Sequence, residues 1–141
     1  MKTAIFDFNG TLYFDQDLNI EAWKVIYEEI IGHSDDFIEQ IEQILATKDD
    51  TNINRFFNRV GKQVDQATLD AYAHKKEELY QTLAKQKNRN ELAPGAKELL
   101  DYLKDNNYDI YMATASIKYN VDFYLDYCGM SKWISLDHVA Y

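Results

Sequence analysis

Cysteine, positive charge and long apolar runs are all scarce in this sequence. Cys128 is the only cysteine among 141 residues, which excludes an intrachain disulfide and a cluster of thiolate metal ligands. The 15 lysines and arginines are outnumbered by 24 aspartates and glutamates, giving a net charge of −9. This balance argues against nucleic acid and anionic membrane surfaces as partners.

Apolar segments are too short for a membrane helix, which needs about 20 such residues, and the first residues, MKTAIFDF, lack a signal-peptide core. We therefore expect a soluble, cytoplasmic protein. Apolar residues still make up 46% of the chain, enough for a packed core.

Three segments have the character of strands. Thr3 to Phe8 is a compact apolar run with β-branched and aromatic residues before a turn, which predicts a buried strand. YDIYMATAS, residues 108–116, predicts a second buried strand that ends in small and hydroxylated residues. HVAY, residues 138–141, predicts a third.

Most of the remaining sequence has apolar residues at helical spacing. The predicted helices lie around Trp23–Ile30, Phe37–Leu45 (with Ser34 as its N-cap), Asn54–Val60, Leu69–Leu83, Ala96–Leu103 and Val121–Cys128. A strand, a long helical excursion, and then alternating helices and strands predict an α/β fold with a Rossmann-like parallel sheet. The excursion is too long for one crossover helix. We therefore predict a core formed by 1–14 and 91–141 with an inserted α-helical cap at 15–90.

Polar residues follow the first two predicted strands, at Asp7–Thr11 and at Thr114–Ser116. In open parallel sheets, ligands bind outside the carboxyl ends of the strands. A carboxylate held there can act as a nucleophile or as a ligand for a hard metal ion. Hydroxyl and amide groups on the neighbouring strand can hold phosphate oxygens, assisted by the start of the next helix.

The segments DFNGTL (7–12) and PGAKELLDYLKDNNYDIYMATAS (94–116), separated by a helical insertion, resemble the haloacid dehalogenase superfamily, in its phosphatase and β-phosphoglucomutase-like branch. This resemblance implies that Asp7 attacks phosphorus and forms an aspartyl-phosphate that water hydrolyses. It also implies that the Asp7 carboxylate and the Asn9 backbone carbonyl hold Mg²⁺. Thr114 and neighbouring amides would bind the transferring phosphoryl group of a small phosphorylated metabolite.

Further candidates surround these positions. Gly10, Thr11, Ala115, Ser116 and Lys118 are expected near the phosphate, although turn residues and solvent-facing helix starts have the same appearance. Arg55 and Arg59 in the cap are candidates for a substrate phosphate because Arg suits oxyanions, with surface charge as the alternative.

Asn9 is the first departure from the family pattern. Phosphatases of the family usually have a second aspartate at this position, which protonates the leaving group and then activates water. An amide cannot exchange a proton at neutral pH, and general acid–base catalysis typically contributes about 10²–10⁴-fold. Aryl and acyl phosphates, whose leaving groups need little protonation, should be affected least.

The second departure is that the sequence ends at Tyr141, before the lysine of the family's third motif and the acidic metal ligands of its fourth. We expect the N-terminal portion of a larger enzyme, or a degenerate relative. The first strand would then have an open apolar edge, which predicts self-association as a homodimer.

Three functions remain open at this stage. The first is a Mg²⁺-dependent phosphohydrolase. The second is a catalytically silent binding module, which Asn9 and the early end both favour. The third is a metal-free 2-haloacid dehalogenase, since such relatives also lack the second aspartate.

Overall fold

The computed structural model describes all residues from Met1 to Tyr141. Its strands and α-helices follow the order β1 (Lys2–Phe6), α1 (Gln16–Ile31), α2 (Phe37–Leu45), α3 (Asp49–Arg59), α4 (Gln66–Gln86), α5 (Ala96–Asp105), β2 (Tyr108–Ala113), α6 (Lys118–Asp126) and β3 (Val139–Ala140). Two short 3-10 turns, Met130–Lys132 and Leu136–His138, lie between α6 and β3.

Two compact units make up the chain. The core unit comprises residues Met1–Gln16 and Ala84–Tyr141, and the helical unit comprises Asp17–Leu83. Compared with the predicted division, residues 15, 16 and 84–90 are thus grouped with the core unit. Contacts within that unit account for part of the difference: the Arg89 guanidinium donates to the Phe14 carbonyl at 2.5 Å, and the Tyr13 hydroxyl donates to the Arg89 carbonyl.

The core unit contains a parallel sheet with the strand order β1-β2-β3. β1 pairs with β2 from Lys2↔Tyr108 to Phe6↔Met112, and β2 continues the ladder to β3 at Met112↔Val139. Helices alternate with these parallel strands, so the predicted α/β class is confirmed. Because the strands run in one direction, the segments that follow β1 and β2 leave the sheet at the same end.

Strand β1 lies at the edge of this sheet, with β2 on one side only. Its residue Ile5 is 70% exposed. Strand β2, in contrast, is central and buries Ile110 and Met112. The helices α5 and α6 contribute Leu100 and Val121 to the buried apolar residues of this unit.

The helical unit has a separate apolar core that is rich in aromatic side chains. Tyr27 meets Phe37 and Phe56 with ring centroids 5.3 and 5.0 Å apart, and Trp23 meets Phe56 edge-on at 6.0 Å. Such tilted pairs bring the positive ring edge against a negative ring face. The core is therefore held by specific ring geometry as well as by apolar burial.

Two details of the predicted helices were wrong. Helix α3 begins at Asp49 and not at Asn54, because the buried Asn52 amide donates to the carbonyls of Ile44 and Thr47 and fixes a short α2–α3 connection. Ser34 is not the N-cap of α2, since Asp36 occupies that position and the Ser34 hydroxyl donates to Glu28.

Candidate active site

The loop that follows β1 is closed by its own backbone. The Phe8 carbonyl accepts the N–H groups of Thr11, Leu12 and Tyr13 at 3.1, 2.8 and 3.1 Å. Gly10 donates to the Tyr13 carbonyl at 2.8 Å and has φ +75°, a left-handed conformation that favours glycine. The requirement is conformational, since a Cβ built on Gly10 meets no atom within 4 Å.

Asp7 is the first residue beyond β1 and its side chain is exposed. One carboxylate oxygen accepts the Phe8 N–H at 2.8 Å. This bond orients the side chain but leaves the carboxylate accessible to a ligand. An exposed, oriented carboxylate at a strand end can act as a nucleophile or can bind a cation.

The segment that follows β2 provides hydroxyl groups. The Thr114 N–H donates to the Ala140 carbonyl of β3 at 2.9 Å, which extends the sheet pairing by one bond. The Thr114 hydroxyl oxygen accepts the Ser116 N–H at 3.1 Å. Both residues are partly exposed at this end of the sheet.

Asn9 joins the two strand-end segments. Its Oδ1 accepts from the Ser116 hydroxyl at 2.8 Å and, more weakly, from the Thr114 hydroxyl at 3.4 Å. The candidate residues of the two segments are therefore in direct contact through the Asn9 side chain.

The opposite side of the Asn9 amide faces two residues that the sequence reasoning missed. Its Nδ2 donates to Asp15 Oδ2 at 2.6 Å and to the Tyr124 hydroxyl oxygen at 2.9 Å. Asp15 is 2% exposed and Tyr124 is 1% exposed. The Tyr124 hydroxyl also lies 3.0 Å from the Ser116 hydroxyl. The sequence feature that could have indicated this contact is Tyr124, which lies on the predicted apolar face of the last helix. A buried tyrosine hydroxyl usually has a hydrogen-bond partner.

Aromatic rings pack beneath the loop after β1. Phe8 stacks on Tyr124 with centroids 4.2 Å apart and on Tyr13 at 5.5 Å. Burial raises the pKa of Tyr13 above its usual range, and burial also raises the pKa of the Cys128 thiol to about 12. Both groups are therefore protonated and uncharged at physiological pH.

The other predicted residues have varied surroundings. Gly10, Thr11 and Ala115 are exposed, and exposed Lys118 forms an ion pair with Asp122 at 2.8 Å along α6. In the helical unit, Arg55 donates to Asn52 Oδ1 at 3.0 Å.

Arg59 also has a partner within the helical unit. It forms a 2.7 Å ion pair with Asp36, and the Tyr27 hydroxyl donates to the same carboxylate at 2.6 Å. The Tyr27 hydrogen bond, followed by the Arg59 hydrogen bond and charge, lowers the pKa of Asp36.

The donors at the strand ends fit Mg²⁺ in kind, because this ion takes oxygen ligands. Asp7 supplies an exposed carboxylate, and the Asn9 backbone carbonyl would be a second donor. No group of three or more His, Cys, Asp or Glu residues is placed to hold a metal ion. Mg²⁺ usually keeps several waters and binds through one or two carboxylates together with substrate phosphates, which suits this small donor set.

A parallel α/β sheet with an accessible aspartate beyond its first strand and hydroxyl groups beyond the next defines a Rossmann-like α/β domain with a strand-end site. None of its helices has the length and apolar character required to cross a membrane. The model of the haloacid dehalogenase-like hydrolase family matches residues 1–140. The chain therefore belongs to this family of hydrolases, as its resemblance predicted.

Individual relatives agree with this assignment. The chain is 31% identical over 117 residues to β-phosphoglucomutase of Bacillus subtilis (strain 168). It superposes with a TM-score of 0.83 and 29% identity on a HAD hydrolase, family IA, variant 3, from Entamoeba histolytica HM-1:IMSS. A putative β-phosphoglucomutase from Thermotoga maritima shares the fold, with a TM-score of 0.68 at 18% identity.

These relatives are longer than the chain. The alignment with the Bacillus subtilis protein covers 82% of this chain and 51% of that protein. The two structural alignments each cover 99% of this chain and 60% of the other. The chain thus spans roughly half to three-fifths of each relative.

Proposed function

We propose that the chain carries the nucleophile and the phosphate-binding hydroxyls of a Mg²⁺-dependent phosphohydrolase that acts on a small phosphorylated metabolite. The observation that carries this proposal is the accessible Asp7 carboxylate beyond β1, at the same end of the sheet as the Thr114 and Ser116 hydroxyls. Membership of a hydrolase family and similarity to a β-phosphoglucomutase support it.

In the proposed reaction an Asp7 carboxylate oxygen attacks the phosphorus atom. The bond between phosphorus and the leaving-group oxygen breaks, and the leaving group departs with that electron pair. Water then attacks the aspartyl-phosphate, which releases inorganic phosphate and restores Asp7. Mg²⁺, held by Asp7 and the Asn9 carbonyl, would neutralise phosphate charge, which is the main requirement of phosphoryl transfer.

Asn9 limits the substrates that suit this site. Both hydrogens of its amide are engaged, one by Asp15 and one by Tyr124, and the amide has no proton to transfer. Leaving groups that depart readily as anions are therefore preferred. We propose aryl or acyl phosphates as the best substrates and alkyl phosphates as poor ones.

The test is hydrolysis of p-nitrophenyl phosphate and of acetyl phosphate, each with and without Mg²⁺. We expect turnover with Mg²⁺, at least about 10²-fold loss in Asp7→Asn, and slower hydrolysis of an alkyl phosphate by roughly the 10²–10⁴-fold that acid catalysis supplies. Lys75→Gln, in the half-exposed Glu29 pair of the helical unit, is a control for charge changes away from the candidate site. Turnover that is unchanged in Asp7→Asn would exclude the proposed mechanism.

A silent binding module is the second candidate, because Asn9 is committed to a hydrogen-bond network and not to proton transfer. In that case inorganic phosphate would bind with Mg²⁺ while neither substrate turned over. Calorimetry with phosphate, in parallel with the hydrolysis assay, separates the two candidates.

We also propose that the chain self-associates through β1. The strand is at the sheet edge and exposes Ile5, and such an edge presents unpaired backbone groups to a second chain. Light scattering after size exclusion should show a dimer that Ile5→Lys weakens, whereas Ile38→Lys, at an exposed apolar side chain of the helical unit, should not. A monomer at high concentration contradicts this proposal.

A further inference from the structure

Asn9 lies in a closed network of hydrogen bonds. Its Nδ2 donates to the Tyr124 oxygen at 2.9 Å, the Tyr124 and Ser116 hydroxyls are 3.0 Å apart, and the Ser116 hydroxyl donates back to Asn9 Oδ1 at 2.8 Å. With the Tyr124 hydroxyl donating to Ser116, every group in this ring gives one hydrogen and receives one. The remaining Asn9 hydrogen goes to Asp15 at 2.6 Å.

This pattern depends on which way the Asn9 amide faces. An amide turned by 180° has nearly the same shape, but it exchanges the positions of its oxygen and its NH₂ group. An ionised Asp15 carboxylate removes this ambiguity, because it only accepts hydrogen bonds and the NH₂ group must then face it. The amide oxygen is then directed at Ser116 and Thr114, the hydroxyl residues after β2.

An aspartate at position 9 would not match these surroundings. Its carboxylate would lie about where the Asn9 amide nitrogen now lies, 2.6 Å from Asp15 Oδ2, so the two carboxylates could not both stay ionised and one would have to take up a proton. Asp15 is 2% exposed, so water cannot screen the repulsion. An ionised second acid at position 9 is thus incompatible with an ionised acid at position 15, whereas an amide at position 9 supplies the hydrogen without any proton uptake.

We propose that Asp15 is a positioning residue that requires an amide at position 9 and, through it, aligns the hydroxyl-bearing segment after β2 with the loop after β1. Asn9 and Asp15 form a matched donor–acceptor pair. Exchanging the two side chains preserves the match, because an amide at position 15 can donate to a carboxylate at position 9. The inference rests on the proposed function only in its consequence, which is that Asp15 confines the site to aryl and acyl phosphates, whose leaving groups depart readily.

The test is a double-mutant cycle of Asn9→Asp, Asp15→Asn and the exchanged double variant, with folding followed by urea denaturation. Leaving buried acceptors without a donor costs about 1–3 kcal/mol, so Asn9→Asp should lower the folding equilibrium constant by roughly 10–100-fold. Asp15→Asn in that background should raise the constant again by at least about tenfold, since it restores one donor. Should Asn9→Asp fail to fold, recovery of a cooperative transition in the double variant gives the same answer.

The matched control is Asn52→Asp, the same substitution at a fully buried amide that donates to two carbonyls in the helical unit. Asp15→Asn should not rescue this variant. A second readout is the side-chain NH₂ resonance of Asn9, which should be protected from exchange. In the exchanged variant, a protected NH₂ resonance from the amide introduced at position 15 should replace it. Independent effects of the two substitutions, or equal rescue of Asn52→Asp, would overturn the proposal, whereas failure of the phosphatase assay alone would not affect it.

Discussion

The core unit and the helical unit each contain a cluster of polar side chains, and the two clusters are built differently. At the strand ends of the core unit, a neutral amide, Asn9, lies at the centre and the reactive candidate Asp7 is exposed. In the helical unit, Lys76 is 5% exposed, and its ammonium group contacts Glu77 at 2.8 Å, Asn19 at 3.0 Å and Asp49 at 3.7 Å.

This difference in burial and pairing distinguishes the candidate reactive site around Asp7 from the structural ion cluster around Lys76. The Lys76 ammonium also lies 5.0 Å from the Trp23 ring centroid, so its surroundings satisfy it on several sides. Buried charges of this kind require their partners, because an unpaired ion in the interior is costly. Asp7 has one hydrogen bond from the backbone and is open to solvent, so it can take a new partner without losing an old one.

The largest expected effect is on the helical unit. Lys76→Met removes the cation and leaves the Asp49 and Glu77 carboxylates together, which should cost about 3–5 kcal/mol of the free energy of unfolding. Lys75→Met is the neighbouring control, because Lys75 pairs with Glu29 in a half-exposed position and should contribute at most about 1 kcal/mol. Urea denaturation measures both, and equal losses would contradict the contrast between buried and exposed pairs.

A smaller effect should appear as a pH dependence of the helical unit. Burial, followed by the hydrogen bond and charge of Glu77, raises the pKa of Asp49 to about 7 in the folded chain. The folded state therefore binds a proton that the unfolded state has released, so this group stabilises below about pH 4 and its contribution is lost as pH rises towards 7.

Urea midpoints at pH 5 and pH 7 in the native chain and in Asp49→Asn test this sign. Stability of the native chain should fall relative to that of the variant as the pH rises. A relative increase would show that the Lys76 charge dominates over burial.

The smallest expected effect is that of Asp7→Asn on stability. The side chain is exposed and makes no ion pair, so the free energy of unfolding should change by at most about 0.5 kcal/mol. Together with the loss of turnover proposed above, this result would separate reactivity from stability at one residue. If Asp7→Asn lowered the free energy of unfolding by about 2 kcal/mol or more, Asp7 would have a structural role like that of Lys76.

The α/β class and the helical insertion were predictable from sequence because hydrophobic periodicity changes clearly between the strands and the helices. The strand-end position of Asp7 and Thr114 was predictable because glycine and hydroxylated residues follow each apolar run. Asp15 was not predictable, since an acid directly before a helix ordinarily indicates an exposed N-cap. Its partner Asn9 also binds Tyr124, which lies 115 residues further along the chain, so this surrounding network forms only in the folded unit.

The short hydrogen-bond ladder between β2 and β3 also determines which hydrogen-bond donors beyond β2 are available to bind an anion. The Thr114 N–H is used by the Ala140 carbonyl and is lost to any incoming oxyanion. The Thr114 hydroxyl hydrogen has only a long 3.4 Å contact with Asn9, so a phosphate oxygen could draw it away at little cost. Specificity for a phosphoryl group at this strand end would then come from a rotating hydroxyl and not from a rigid main-chain donor, and Thr114→Val should impair it more than Thr114→Ser.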